Sequence, residues 1–422
     1  MKIHRFAISR NIIRDCTAVL FGLAMILPQS FYYGRPMLVL ATFILWIIFT
    51  LDGRLVITMK KTALPILCLL YFLMVVQLNL RVGNVGYYDI FIAGPIYSIL
   101  VIIVASHYQV HFPDRLRLIR YWLLVLIAIL TVQTIPELIA RPYITRMLAT
   151  NSDNPLIADL YRLGFLGYPQ LYALSIPFTT FIVLFSSTKS IFFKHILFIS
   201  IIIIGSILLL STLTLVATCF IGGIFVLLVY IFFYTKSFKK KTILYLLPLV
   251  LIVSIGPITS LLGSQFEPIE FIIKKGERIF TGVADSGISQ GDPTGRGKMF
   301  FRSLNTFLET PLFGTGFTNR TCKIGGHSSF MDGWAYFGII GNFPIFAFQF
   351  LLSWVAFLNW RASSRNFYRA AHSISWFIYW LVTVCNSTTF IVLPILLLFV
   401  DFMPKYNQKD TSRTYLKGAV AK

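Results

Sequence analysis

The sequence predicts an all-α polytopic membrane protein of about 12 transmembrane helices, with a large, partly helical extracytoplasmic loop between spans nine and ten. Three observations predict it. Of 422 residues, 57% are hydrophobic and only 13% charged, where a soluble chain carries about 25% charged residues. Long apolar runs recur from residue 16 to residue 402. Basic residues fall in alternate connections between those runs, as the positive-inside rule requires.

A helix crossing about 30 Å of hydrocarbon takes about 20 apolar residues. Runs of that kind lie at 16–33, 36–51, 62–80, 90–106, 118–138, 169–187, 196–212, 214–234, 243–262, 330–358, 373–387 and 388–403. Lys2, Arg5, Arg10 and Arg14 precede the first run, and no small-residue cleavage site with a soluble domain follows it. The first run therefore reads as a retained span rather than a cleaved leader. The last two runs read either as short crossings or as a hairpin that crosses incompletely. Three units follow. Residues 1–262 carry spans one to nine with an outer loop at about 139–168. Residues 263–329 form the large outer loop. Residues 330–403 hold the last three spans, ahead of a tail at 404–422.

With the N-terminus inside, the inner connections hold Arg54, Lys60 and Lys61; Arg115 and Arg117; Lys189 and Lys194; Lys236, Lys239, Lys240 and Lys241; and Arg361, Arg365 and Arg369. The tail adds Lys405, Lys409, Arg413, Lys417 and Lys422. Short outer turns hold few basic residues, such as Arg35 and Arg81. This distribution places both termini on the cytoplasmic side of a plasma or bacterial inner membrane. It also accounts for the net charge of +21 without nucleic acid as a partner.

Five cysteines are scattered, four of them in apolar runs, so no disulfide framework or CxxC metal site is read. No Asp, Glu and His cluster has metal-ligand spacing, and neither a metal nor another cofactor is expected.

The 263–329 loop holds Lys274, Lys275, Arg278, Arg296, Lys298, Arg302, Arg320 and Lys323. Long loops translocate whatever their charge. An anionic ligand is the functional alternative, because the planar guanidinium fork of arginine matches phosphate oxygens. His327 stands in Gly325-Gly326-His327-Ser328-Ser329-Phe330, and it is the one histidine of six on the outer side in this topology. Two glycines permit close approach of a ligand, and a histidine near neutral pKa can take a proton from a hydroxyl. Upstream lie Thr294-Gly295-Arg296-Gly297-Lys298 and Pro311-Leu312-Phe313-Gly314-Thr315-Gly316-Phe317. Without a preceding strand or a Gly-Lys-Ser/Thr ending, the second stretch marks tight turns rather than a nucleotide loop.

The order Gly295-Arg296, Pro311 to Phe317, His327-Ser328-Ser329 and Gly338-Ile339-Ile340-Gly341 resembles the O-antigen ligase and Wzy-type polysaccharide polymerase superfamily. The motifs cover 295–341, and the layout of spans extends the likeness over most of the chain. Arg162-Leu163-Gly164 ahead of Tyr168-Pro169 is similar to an element of the family's earlier outer loop. A Ser-Arg pair that many members carry at the end of the seventh span is missing here, where the chain reads Leu210-Ser211-Thr212-Leu213. Arg162, Arg302 and Arg320 are the candidates to replace it.

The resemblance implies a glycosyltransferase acting on an oligosaccharide joined through pyrophosphate to undecaprenol, within membrane lipids, with a chain-length regulator as a candidate protein partner. His327 would deprotonate the acceptor hydroxyl. Arg296 would neutralise the pyrophosphate as it leaves. Arg162, Arg302, Arg320, Gly326 and Ser328 would bind pyrophosphate or glycan. No metal is needed in this scheme, and attack opposite the leaving group inverts the anomeric centre. His-Ser-Ser entering a helix with Phe330, Trp334, Tyr336 and Phe337 is more similar to repeat-unit polymerases of O-antigen, capsule or exopolysaccharide. Ligases, which transfer the glycan to lipid A core, more often show His-Asn. A lipid-linked oligosaccharide flippase, handling the same substrate without chemistry, is the alternative from another class.

Overall fold

The computed structural model describes residues 10–81, 88–140, 155–212, 296–315, 324–326, 328–363, 366–386 and 389–403. The expected spans at 214–234 and 243–262 lie outside them, as does the outer loop up to residue 295. Every described element is a helix. In chain order they are α1 (Arg10–Ile26), α2 (Pro28–Tyr32), α3 (Arg35–Thr50), α4 (Gly53–Arg81), α5 (Tyr88–His111), α6 (Pro113–Thr131) and α7 (Thr134–Ala140). Then come α8 (Pro155–Leu163), α9 (Tyr168–Ser187), α10 (Ile191–Thr212), α11 (Arg296–Glu309), α12 (Ser329–Ala362), α13 (Asn366–Cys385) and α14 (Thr389–Phe399).

Four described stretches are long and apolar enough to cross a membrane: Gly53–Leu78, Phe91–His111, Ile191–Leu208 and Ser329–Ala362. The α6–α7 pair, bent by 42°, makes a fifth if it is one broken span. In the α4 and α10 spans only 28% of the residues are buried. Leu64, Leu67, Leu70 and Met74 of α4, and Phe198, Ile199 and Ile202 of α10, are exposed. Apolar faces of this extent are compatible with a multi-pass membrane protein and not with an aqueous surface. Hydroxyls inside the helices are satisfied locally: Thr58, Thr62, Ser98, Thr131 and Ser375 each donate to the carbonyl four residues earlier. That pattern pairs these hydroxyls where water is scarce.

The bundle packs α1 on α3 and α6, α4 on α5 and α12, and α9 on α13 and α14. Gly22 lets α1 approach Leu123 of α6 and Leu398 of α14. At one end the chain after α14 is tied down by polar groups. Arg120 pairs with Asp401 at 2.9 Å, and Tyr368 Oη donates to the same carboxylate at 3.1 Å. The Gln109 amide bonds Val400 O, Phe402 N and Met403 N. From this anchor α14 rises only 11 residues, about 16 Å, which falls short of a hydrocarbon core of about 30 Å.

The largest departure from the expected layout is in α12. The sequence reads one tenth span at 330–358. Gly338, at φ 60° and ψ −166°, instead breaks the helix in two. Phe330 and Phe346 lie 6.0 Å apart, and Trp334 and Phe346 5.7 Å apart, centroid to centroid. In an unbroken helix residues 330 and 346 would be about 24 Å apart. A Cβ on Gly333 would stand 2.7 Å from Asn342 Oδ1. Residues 329–337 are therefore a half-helix folded back beside 339–362.

The Pro311–Gly314 turn makes the break affordable in hydrogen bonds. Reversal strips Ile339 and Ile340 of their acceptors one turn back, and Ala335 of its donor one turn on. Pro311 O accepts Ile339 N at 2.8 Å, and Leu312 O accepts Ile340 N at 3.0 Å. Thr315 donates to Ala335 O through both its amide, at 2.9 Å, and its hydroxyl, at 3.2 Å. Gly314 has φ 69°, and a side chain there would overlap the Tyr336 carbonyl. The two short motifs, Pro-Leu-Phe-Gly-Thr and Gly-Ile-Ile-Gly, are thus the two sides of one backbone junction.

Candidate functional site

The fold-back carries the start of the half-helix down beside Ile345, Phe346 and Gln349, away from the Gly338 tip. There Ser329 N donates to Asn386 O at 2.9 Å, joining the half-helix to the turn between α13 and α14. Two elements of partial length thus meet end to side. The Gly325–Ser328 loop sits at this junction.

Asp332 organises the loop. Its residue is buried, at 4% exposure, and among the described residues its carboxylate accepts hydrogen bonds from Ser303, Gly326 and Ser328. Ser303 Oγ donates to Oδ1 at 2.6 Å, Gly326 N to Oδ1 at 3.2 Å, and Ser328 N to Oδ2 at 3.0 Å. Ser303, wholly buried on α11, also accepts Gly325 N at 2.9 Å. Ser328 caps the half-helix, its Oγ accepting Met331 N at 3.2 Å. Asp332 reaching back to the Ser328 amide closes a capping box lengthened by one residue. The loop's tight course requires its glycines. Gly326 has φ 78°, and a Cβ on Gly325 would run into the Met299 backbone.

That last contact brings α11 into the site. Met299 lies one turn from Arg296, where α11 begins. Arg296 thus heads a helix whose first turn touches the loop, and the start of a second helix, at Ser329, lies on the loop's other side. The Ser329 start is already capped: Ser328 Oγ accepts Met331 N, Asn386 O accepts Ser329 N, and the Asp332 carboxylate stands in its first turn. Behind Ser329 a recess with room for about one water is lined by Ser329, Phe330, Asn342, Ile345, Phe346, Gln349 and Thr383. Its wall combines carboxamides, hydroxyls and aromatic rings.

The expected site residues divide accordingly. Gly326 and Ser328 are in the junction, held by Asp332. Arg296 begins the helix beside it, and its side chain lies outside the described residues. His327 and Arg320 also lie outside the described residues. Arg302 is exposed on α11, next to Ser303 in the chain. Arg162 is exposed on α8 and pairs with the equally exposed Asp159 at 3.5 Å. Its helix packs against α2, while the Gly164 turn after it, at φ 86°, is pinned against Gln29 and the Leu130 carbonyl.

Sequence reasoning missed Asp332 and Ser303. A signal existed for the first: an acid four residues after a serine that opens a helix is close to capping-box spacing. Ser303, an inward-facing serine 29 residues upstream, carries no local signal. No protein-family profile and no curated protein matches this chain.

Proposed function

We propose that this protein polymerises undecaprenyl-pyrophosphate-linked oligosaccharide repeats at the outer leaflet of a bacterial inner membrane. His327 is the base that takes the acceptor hydroxyl's proton. Arg296 holds the pyrophosphate as its oxygen departs with the electron pair of the anomeric bond. Proton transfer of this kind contributes about 10²–10⁴-fold, and a preorganised charge on the leaving group about 2.7–4 kcal/mol. The observation that carries the reading is that the first described turn of α11, which opens with Arg296, lies against Gly325, two residues before position 327 in the chain. The planar guanidinium of arginine suits a diphosphate.

A second reading draws on the broken helix at Gly338. Transporters build their substrate sites on discontinuous helices, so a flippase for the same lipid-linked substrate is the alternative. Turnover separates the two. Purified protein in lipid nanodiscs, given lipid-linked repeats, is expected to build a ladder of longer chains and release undecaprenyl pyrophosphate. His327→Ala and Arg296→Ala are expected to abolish the ladder at normal membrane levels of protein. Wild-type turnover by His327→Ala would remove the base assignment. Movement of substrate between leaflets without any ladder would favour the flippase.

A further inference from the structure

We propose that Asp332, backed by Ser303, is the positioning residue of the reactive loop. This rests on reading position 327 as the base. Two consecutive glycines give Gly325-Gly326 the widest backbone freedom of any pair, so the loop has little rigidity of its own. The structure supplies it from outside. One carboxylate holds the amides of Gly326 and Ser328, the residues on either side of position 327. Ser303 takes the Gly325 amide and hands its own proton to the same carboxylate. Three tied amides, those of Gly325, Gly326 and Ser328, thus hold the loop on both sides of position 327.

A carboxylate suits this position because it is acceptor-only: two oxygens serve three donors and bring no competing N–H. A carboxamide of the same shape turns one of the two positions into a donor facing a donor. Asp332 itself is nearly inaccessible and its oxygens are engaged with the loop, so it acts through the loop rather than on substrate. Ser303 and Asp332 come from different elements, α11 and α12. The clamp forms only when α11 packs on the half-helix, and that packing also sets the start of α11, at Arg296, beside the loop.

The experiment compares Asp332→Asn, Ser303→Ala and His327→Ala in nanodiscs, with kcat and KM for lipid-linked repeats measured separately on folded protein. A misplacement of about 1 Å costs about 10²-fold in rate. Asp332→Asn is expected to lower kcat by about 10²-fold with KM within about twofold, because the substrate contacts remain. Ser303→Ala removes one donor, leaves the carboxylate, and is expected to lower kcat about three- to tenfold with KM unchanged. It serves alone if Asp332→Asn does not fold. Amide hydrogen exchange at Gly326 and Ser328 is expected to quicken in both. Wild-type kcat in either variant, while His327→Ala is inactive, overturns the positioning role and leaves the base reading intact. Wild-type turnover by His327→Ala overturns the base reading, and the clamp then has no base to place.

Discussion

Gly338→Ala puts the fold-back of α12 to a direct test. At φ 60° and ψ −166° the residue occupies backbone space that an L side chain scarcely reaches, a strain of about 1–3 kcal/mol. The new Cβ would stand 2.5 Å from Gly314 N, Leu312 C and Leu312 O. All three are backbone atoms, so no rotamer change relieves the overlap. Separating the Pro311–Gly314 turn from the break instead weakens the Ile339–Pro311 and Ile340–Leu312 bonds, at about 1 kcal/mol each. Together the loss comes to about 3–5 kcal/mol, a large fraction of a stability of about 5–15 kcal/mol. Equilibrium unfolding in mixed detergent–SDS micelles reads it. A fluorophore–quencher pair at cysteines replacing Phe330 and Phe346 reports whether the two halves still lie side by side. Unfolding within about 0.5 kcal/mol of wild type, with the pair still close, would refute the account of the break.

Other substitutions probe separate parts of the argument. Gly314→Ala meets the Tyr336 carbonyl at a positive φ and is expected to cost about 2–4 kcal/mol in the same unfolding assay. Gly22→Ala is the contrasting case. Its Cβ would meet only side-chain methyls, Leu123 Cδ2 at 2.7 Å and Leu398 Cδ2 at 3.1 Å, which can rotate, so the expected change is within about 1 kcal/mol. Arg120→Ala leaves Asp401 with Tyr368 but without its guanidinium, in surroundings where the pair's side chains are 12% and 20% exposed. The expected loss is about 2–3 kcal/mol, and a double-mutant cycle with Asp401→Asn should return a coupling above about 1 kcal/mol.

Much of the helical layout was legible from hydropathy alone. The runs at 62–80, 90–106 and 196–212 fall inside α4, α5 and α10, because a long apolar segment in lipid has little choice but to satisfy its own backbone. Pro311 and Gly314 were readable as turn formers, and a turn is what they make. Less legible was what the turn is for. Its acceptors serve amides 28 residues downstream, at Ile339 and Ile340, and no period or composition reports such a pairing. The site shows the same division. Gly326 and Ser328 stood out because a Gly-Gly-x-Ser stretch entering a helix is a local pattern. Ser303 did not, since its role exists only once α11 lies against the half-helix.

By itself the sequence determined that the chain is helical and apolar, where several helices run, and which loop gathers glycines, arginines and a histidine. These are local properties: hydropathy and turn chemistry act within a few residues. Only the tertiary structure decided that the tenth run is two helices folded on each other, and that one buried aspartate ties the loop together. Each of those depends on groups far apart in the chain supplying hydrogen bonds that a reversed backbone cannot supply for itself.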